Sequence, residues 1–126
     1  MTIDNVIESV KAIKQGYDFE EEEIIRGIND VEMMIINEIV RGREGEDEIN
    51  SSYGNYTAET DREQELIAGA PYGGMYREYV CALIEMRNQN IELYQMHMMS
   101  FNNLIEEFKR AYIRTHRQKR NYPYHF

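Results

Sequence analysis

The sequence predicts an all-α fold, a small bundle in which two shorter helices precede longer ones. Two observations carry that expectation. Apolar residues between Ile3 and Ile39 recur at spacings of three and four, the period of a helix with a buried face. A second apolar seam of the same period runs from Tyr76 to Tyr112.

Taken in order, Ile3, Val6, Ile7, Val10 and Ile13 define a first helix near residues 2–14, with Thr2 as its cap and Gly16 beyond its end. Tyr17-Asp18-Phe19 links it to the next helix. Asp18 stands three residues before Glu21, the spacing of a capping box, and Glu20 to Glu23 put negative charge where the helix dipole favours it. The second helix carries Ile24, Ile28, Val31, Ile35 and Ile39, and Ile25, Met33, Met34 and Ile36 widen its apolar surface beyond one stripe. Neighbouring residues point about 100° apart, so Met33 and Met34 cannot both sit centrally, and at least one is expected to face another subunit. Arg41 and Gly42 supply a favourable charge and a stop.

Residues 42–65 are rich in Gly, Glu, Asp, Asn, Ser and Thr, with Tyr53 and Tyr56 as their aromatic groups. A long polar loop, mobile over about 43–64, is expected here, and Tyr53-Gly54-Asn55-Tyr56 would allow a short hairpin. Pro71 fits the first position of a helix. From there the seam runs through Tyr76, Val80, Leu83, Arg87, Ile91, Tyr94, Met98, Phe101, Ile105, Phe108 and Tyr112. Its period fits one kinked helix or two long helices, and Asn88-Gln89-Asn90, poor in a helix interior, places a break or bend there. Residues 1–116 thus read as a single helical domain and 117–126 as an extended basic and aromatic tail.

A chain of 126 residues fits one domain and can bury a core of its own. No apolar run approaches the ~20 residues of a membrane span, and no signal peptide is evident at the N-terminus. Cys81 is the only cysteine, which excludes a disulfide scaffold and points to a reducing cytosol. The net charge of −9 divides unevenly: residues 1–70 hold 18 acids against 6 Lys/Arg, and residues 71–126 hold 5 against 8. Lys109, Arg110, Arg114, Arg117, Lys119 and Arg120 follow one another with no acid among them. An acidic end and a basic end on one small protein point to head-to-tail packing between copies, or to a basic arm with its own partner.

Catalytic signals are thin. His97, His116 and His125 are isolated in sequence, and neither a zincin helix nor a pair of Glu-x-x-His motifs occurs. Glu44-Gly-Glu46-Asp47-Glu48 lacks the alternating ligands of a calcium loop. Cys81 lies on an apolar helix as a structural thiol, and Gly73-Gly74 has no Lys or Ser/Thr beside it to hold a phosphate. The reading is a chain that is no enzyme and takes no metal, cofactor or small-molecule substrate. Met96, Met98, Met99 and Phe101 read as core, while 8 Met and 10 Tyr also suit adaptable protein surfaces. Tyr72, Tyr76 and Tyr79 offer amphipathic rings for half-buried interface positions.

Several of these pieces stand in a familiar order: Glu65-Leu66-Ile67-Ala68-Gly69-Ala70-Pro71-Tyr72, Met75-Tyr76-Arg77-Glu78-Tyr79-Val80, Glu92-Leu93-Tyr94, Ser100-Phe101-Asn102, Glu107-Phe108 and Tyr112-Ile113-Arg114-Thr115-His116. In this the chain resembles a family of small structural proteins of phages and prophages of Gram-positive bacteria, described as head–tail connectors. It departs from that pattern at Gly73-Gly74, at Gln95 and Met96, and in a second helix without tryptophan. The resemblance implies a virion neck protein, assembled in the host cytoplasm, whose copies form a ring between portal and tail or stopper proteins, close to packaged DNA. No catalytic residue is implied. Met33, Met34, Tyr72, Tyr76, Arg114, Arg117, Lys119 and Arg120 are the expected interaction residues. The alternative is a small nucleic-acid-binding or regulatory helical protein acting through Lys109–Arg120, against which the acidic bulk of the chain weighs.

Overall fold

A reciprocal cap starts the chain's first helix. Thr2 Oγ1 accepts the Asn5 N–H at 3.1 Å, and Asn5 Oδ1 accepts the Thr2 N–H at 3.0 Å. The computed structural model describes residues 1–119, which form α1 (Ile3–Ile13), α2 (Glu21–Ile35), α3 (Gly74–Arg87) and α4 (Ile91–Thr115). The all-α bundle is therefore as expected: two N-terminal helices, a long irregular segment, and two C-terminal helices packed together. No β-strand forms among the described residues; Thr2 with Glu65 and Arg43 with Gln118 make isolated bridges.

α1 buries Ile3, Val6, Ile7 and Val10 and leaves Ile13 exposed. The capping box expected at Asp18 does not form. Glu20 is the N-cap of α2 and makes no side-chain cap bond, so Glu21, Glu22 and Glu23 act on the first turn through charge alone. α2 buries Ile24, Ile25, Ile28, Val31 and Ile35 and runs into a π-helical turn, Ile36–Val40, closed by Arg41 N–H on the Ile36 carbonyl at 3.0 Å. The wider turn brings both Ile39 and Val40 into the core. Gly42, at φ +81°, then stops the helix, as its position predicts.

Residues 43–73 contain one 3-10 turn, Glu46–Glu48, and a succession of hydrogen-bonded turns. The hairpin at Tyr53–Tyr56 does not form. Asn55 N–H closes a turn on the Ser52 carbonyl, but the Tyr56 backbone is taken by α2: its N–H donates to Asn29 Oδ1 at 2.9 Å and its carbonyl accepts from Asn29 Nδ2 at 3.0 Å. The segment then passes the start of α1, where the Gln64 and Arg62 carbonyls accept the N–H groups of Ile3 and Asp4. Those are donors a helix cannot satisfy within itself. Pro71 does not open α3. It stands ahead of the helix, whose N-cap is Gly73.

The break at Asn88 is complete, and α3 and α4 are separate helices. Gln89 sits at φ +61°, its N–H on the Met86 carbonyl, while Asn90 N–H reaches back to the Glu85 carbonyl at 2.9 Å. This is the Schellman ending of a helix, here with Gln in place of the usual Gly. Asn90 Oδ1 then caps α4. Contacts of Tyr72 with Phe108, Tyr79 with Phe101 and Glu78 with His97 set α3 and α4 antiparallel. On its other side α3 meets α2 closely, because a Cβ on Gly27 would lie 2.7 Å from Val80 Cγ2. With helices on both flanks, α3 buries Met75, Tyr76, Val80, Cys81 and Ile84, a wider face than the expected seam. Leu83 and Ile91, assigned to that seam, are exposed.

Candidate interaction surface

Three places on the bundle gather the side chains that matter: a buried carboxylate hub, an aromatic groove at the end of α4, and exposed methionines. The hub is Glu32. It stands four residues after Ile28 and three before Ile35, so the helix turns it into the core, where it is fully buried. Tyr56 donates its hydroxyl to Oε2 at 2.8 Å, Tyr76 donates to Oε1, and the Ile67 N–H donates to Oε2 at 3.1 Å. Tyr76 Oη in turn accepts the Ala68 N–H at 3.0 Å. Burial pushes the Glu32 carboxyl up from its ordinary value, and the three donors restrain that rise. Burial beside the same carboxylate raises both tyrosine hydroxyls. One side chain of α2 thereby joins α3 to the long connecting segment.

Tyr76, expected at an interface, is instead core: its relative exposure is 0%. A second buried charge, Glu85, pairs with Lys14 at 2.5 Å across α3 and the end of α1. Burial works to raise the Glu85 carboxyl, but the Lys14 ammonium and the Tyr17 hydroxyl more than offset it and hold it below the ordinary value. Neither Glu32 nor Glu85 was singled out from sequence. The available signal was an acid standing at an apolar position of a helical stripe.

The groove lies where α4 runs past the start of α3. Tyr72, Phe108 and Tyr112 pack in series, with Tyr72 to Phe108 edge-on at 5.7 Å, and His116 lies flat on Tyr112 at 3.8 Å. Leu66, Ile67, Ile49 and Tyr53 of the connecting segment line its other wall. Tyr72 is therefore half-buried against its own chain. At its mouth the chain returns on itself: Glu44 N–H donates to the Arg117 carbonyl and Lys119 N–H to the Gly42 carbonyl, each at 2.7 Å. Lys119 Nζ reaches Glu46 at 3.0 Å and Asp47 at 3.5 Å. This lysine, expected to meet acids of a neighbouring copy, meets acids of its own chain. Arg114 and Arg117 are exposed and make no ion pair among the described residues; Arg120 and the rest of the tail lie outside them.

Met33 is 39% exposed, and Met34 beside it is half-buried; with Asp30, Asn37, Glu38 and Tyr79 they line a shallow cleft between α2 and α3. On α4, Met96 and Met99, expected in the core, stand out at 59% and 66% exposure, whereas Phe101 is buried and Met98 half-buried. The Cys81 thiol is enclosed, and burial pushes it up to about 11, far from a thiolate at neutral pH. Among the described residues no three His, Cys, Asp or Glu side chains gather to hold a metal ion, and no helix is long and apolar enough to cross a membrane. Comparison with protein-family models, with curated proteins and with solved structures finds no match to this chain.

Proposed function

We propose that the chain is a non-catalytic structural subunit that assembles with copies of itself, as a phage or prophage head–tail connector ringed between portal and tail or stopper proteins. The observation that carries this reading is the Met33–Met34–Tyr79 cleft, an apolar surface of adaptable side chains with Asp30 and Glu38 at its edge. A ring grows by a heterologous contact that closes on rotation, so this acidic-edged surface needs a differently charged mate. Arg114 and Arg117, exposed beyond the aromatic groove, supply one. The order of sequence elements, which resembles that of connector proteins, supports the same reading.

The test is the composition of particles from the phage or induced prophage that encodes the chain, with the wild-type protein and with Met33→Glu. The wild-type chain is expected in particles at a fixed multiple of the portal. The variant is expected to keep its helical content and to leave filled heads and free tails. Normal particles from a folded Met33→Glu protein, or particles without the chain, overturn the proposal. Tight DNA binding by the isolated protein that falls linearly with log salt establishes the nucleic-acid reading instead.

A further inference from the structure

α4 carries two seams. Tyr94, Met98, Phe101, Ile105, Phe108 and Tyr112 face the bundle, buried or half-buried. On the opposite side Glu92, Met96, Met99, Asn103, Glu106, Arg110 and Ile113 recur at alternating intervals of four and three, and every one of them is exposed. That is the heptad spacing of a helix that takes another helix along its length. From Leu93 to Ile105 the helix holds no Asp, Glu, Lys or Arg, so the middle of the outer seam is an uncharged strip centred on its two most exposed methionines.

We propose that this outer seam is a docking surface for the same seam of a second copy, the two α4 helices running antiparallel across a two-fold axis. Charge selects both the partner and the direction. The seam is acidic at its start (Glu92) and basic toward its end (Arg110), and neither residue has an ion-pair partner among the described residues. Parallel pairing would set like charges side by side. Antiparallel pairing, with the heptad positions of one helix alternating against those of the other, sets Glu92 against Arg110, Met99 against Asn103, and Met96 against the aliphatic stem of Glu106. Ile113 then falls opposite the α3–α4 turn, where Met86 and Ile91 are exposed. By symmetry each pairing occurs twice, over a seam of ~27 Å from Glu92 to Arg110 at 1.5 Å per residue. Antiparallel helix dipoles favour the same arrangement. An isologous contact of this kind closes at two copies and leaves the Met33–Met34 cleft free, so it is independent of any ring.

The full chain, studied by sedimentation equilibrium, is expected to dimerise. Met96→Glu with Met99→Glu should abolish the dimer without loss of helical content. Glu92→Arg alone, or Arg110→Glu alone, should weaken it roughly tenfold, because each creates two like-charge contacts. The two together should restore it. A chain that stays monomeric at all concentrations, a dimer indifferent to the methionine variant, or a charge reversal that the second reversal fails to rescue overturns the proposal. Particle assembly by Met96→Glu/Met99→Glu is read separately and bears on the ring alone.

Discussion

Glu32 and Glu85 are both buried carboxyls on core faces, yet their surroundings oppose one another. Glu32 faces neutral donors, and burial raises its carboxyl above the ordinary value near 4.5. Its native state therefore binds more protons than the unfolded chain, so its contribution is complete below that value and is lost as pH rises through the native one. Glu85 faces Lys14 and is held lower, so its contribution is present above about the same value and is lost as pH falls. Urea titrations across pH should then separate them. Glu32→Gln, which keeps an acceptor for one tyrosine and gains a donor for the other, should flatten the loss of stability as pH rises above 4.5. Glu85→Gln strands the Lys14 ammonium and should cost about 3 kcal/mol at neutral pH, with the deficit shrinking in acid. Equal pH profiles for the two variants would refute this assignment.

At the scale of elements, the ends of helices were legible where a cap is made by adjacent residues. Thr2, Gly42 and Asn90 act where the sequence places them. Asp18 and Pro71 do not: at the start of α2 the Asp18 carbonyl and Glu23 take the Arg87 guanidinium, and ahead of α3 the Tyr72 N–H closes a turn on the Gly69 carbonyl. Gln89 holds a left-handed conformation that costs a side-chain-bearing residue about 1 kcal/mol. Gln89→Gly should accordingly raise stability by up to about that amount in thermal or urea unfolding. The connecting segment is the element that local pattern describes least well. Composition predicts mobility over 43–64, and the hydrogen bonds divide it. Amide exchange should be slow at Tyr56, Ile67 and Ala68, whose N–H groups bond to Asn29, Glu32 and Tyr76, and fast at Ser51 and Ala58. Uniformly fast exchange from 50 to 68 would show that the Glu32 hub does not hold the segment.

For the whole molecule, two exposed apolar surfaces lie on different helices and differ in charge. The α4 seam holds charges of both signs, Glu92 and Arg110, whereas the cleft of Met33 and Met34 is edged by acids alone, Asp30 and Glu38. Salt tests the charged part of both contacts, since the screening length falls from ~10 Å at about 0.1 M to ~3 Å at about 1 M. Dimerisation through α4 and the association lost on Met33→Glu should both weaken over that range. A contact indifferent to salt would refute the charge pairing assigned to its surface.

The period of the apolar residues determined the helical class and the two short helices, and local composition the polar connection and a break or bend at Asn88, because each depends on neighbours within a turn or two; that α3 and α4 are two helices and not one kinked helix was decided by the structure. It also marked Met33 and Met34 as residues that cannot both sit on their own helix's stripe. Only the tertiary structure decided how wide the core face of α3 is and which methionines of α4 lie outside the core. A helix flanked on both sides buries a wider arc than one seam, which takes in Met75 and Cys81, while a helix at the edge of the bundle turns Met96 and Met99 outward. Likewise the destination of Lys119 and the burial of Glu32 depend on partners far away in the chain, Glu46 and Asp47 for the one and Tyr56, Ile67 and Tyr76 for the other. Periodicity reports the angle of a side chain around its own helix; what stands at that angle is set by the packing of the others.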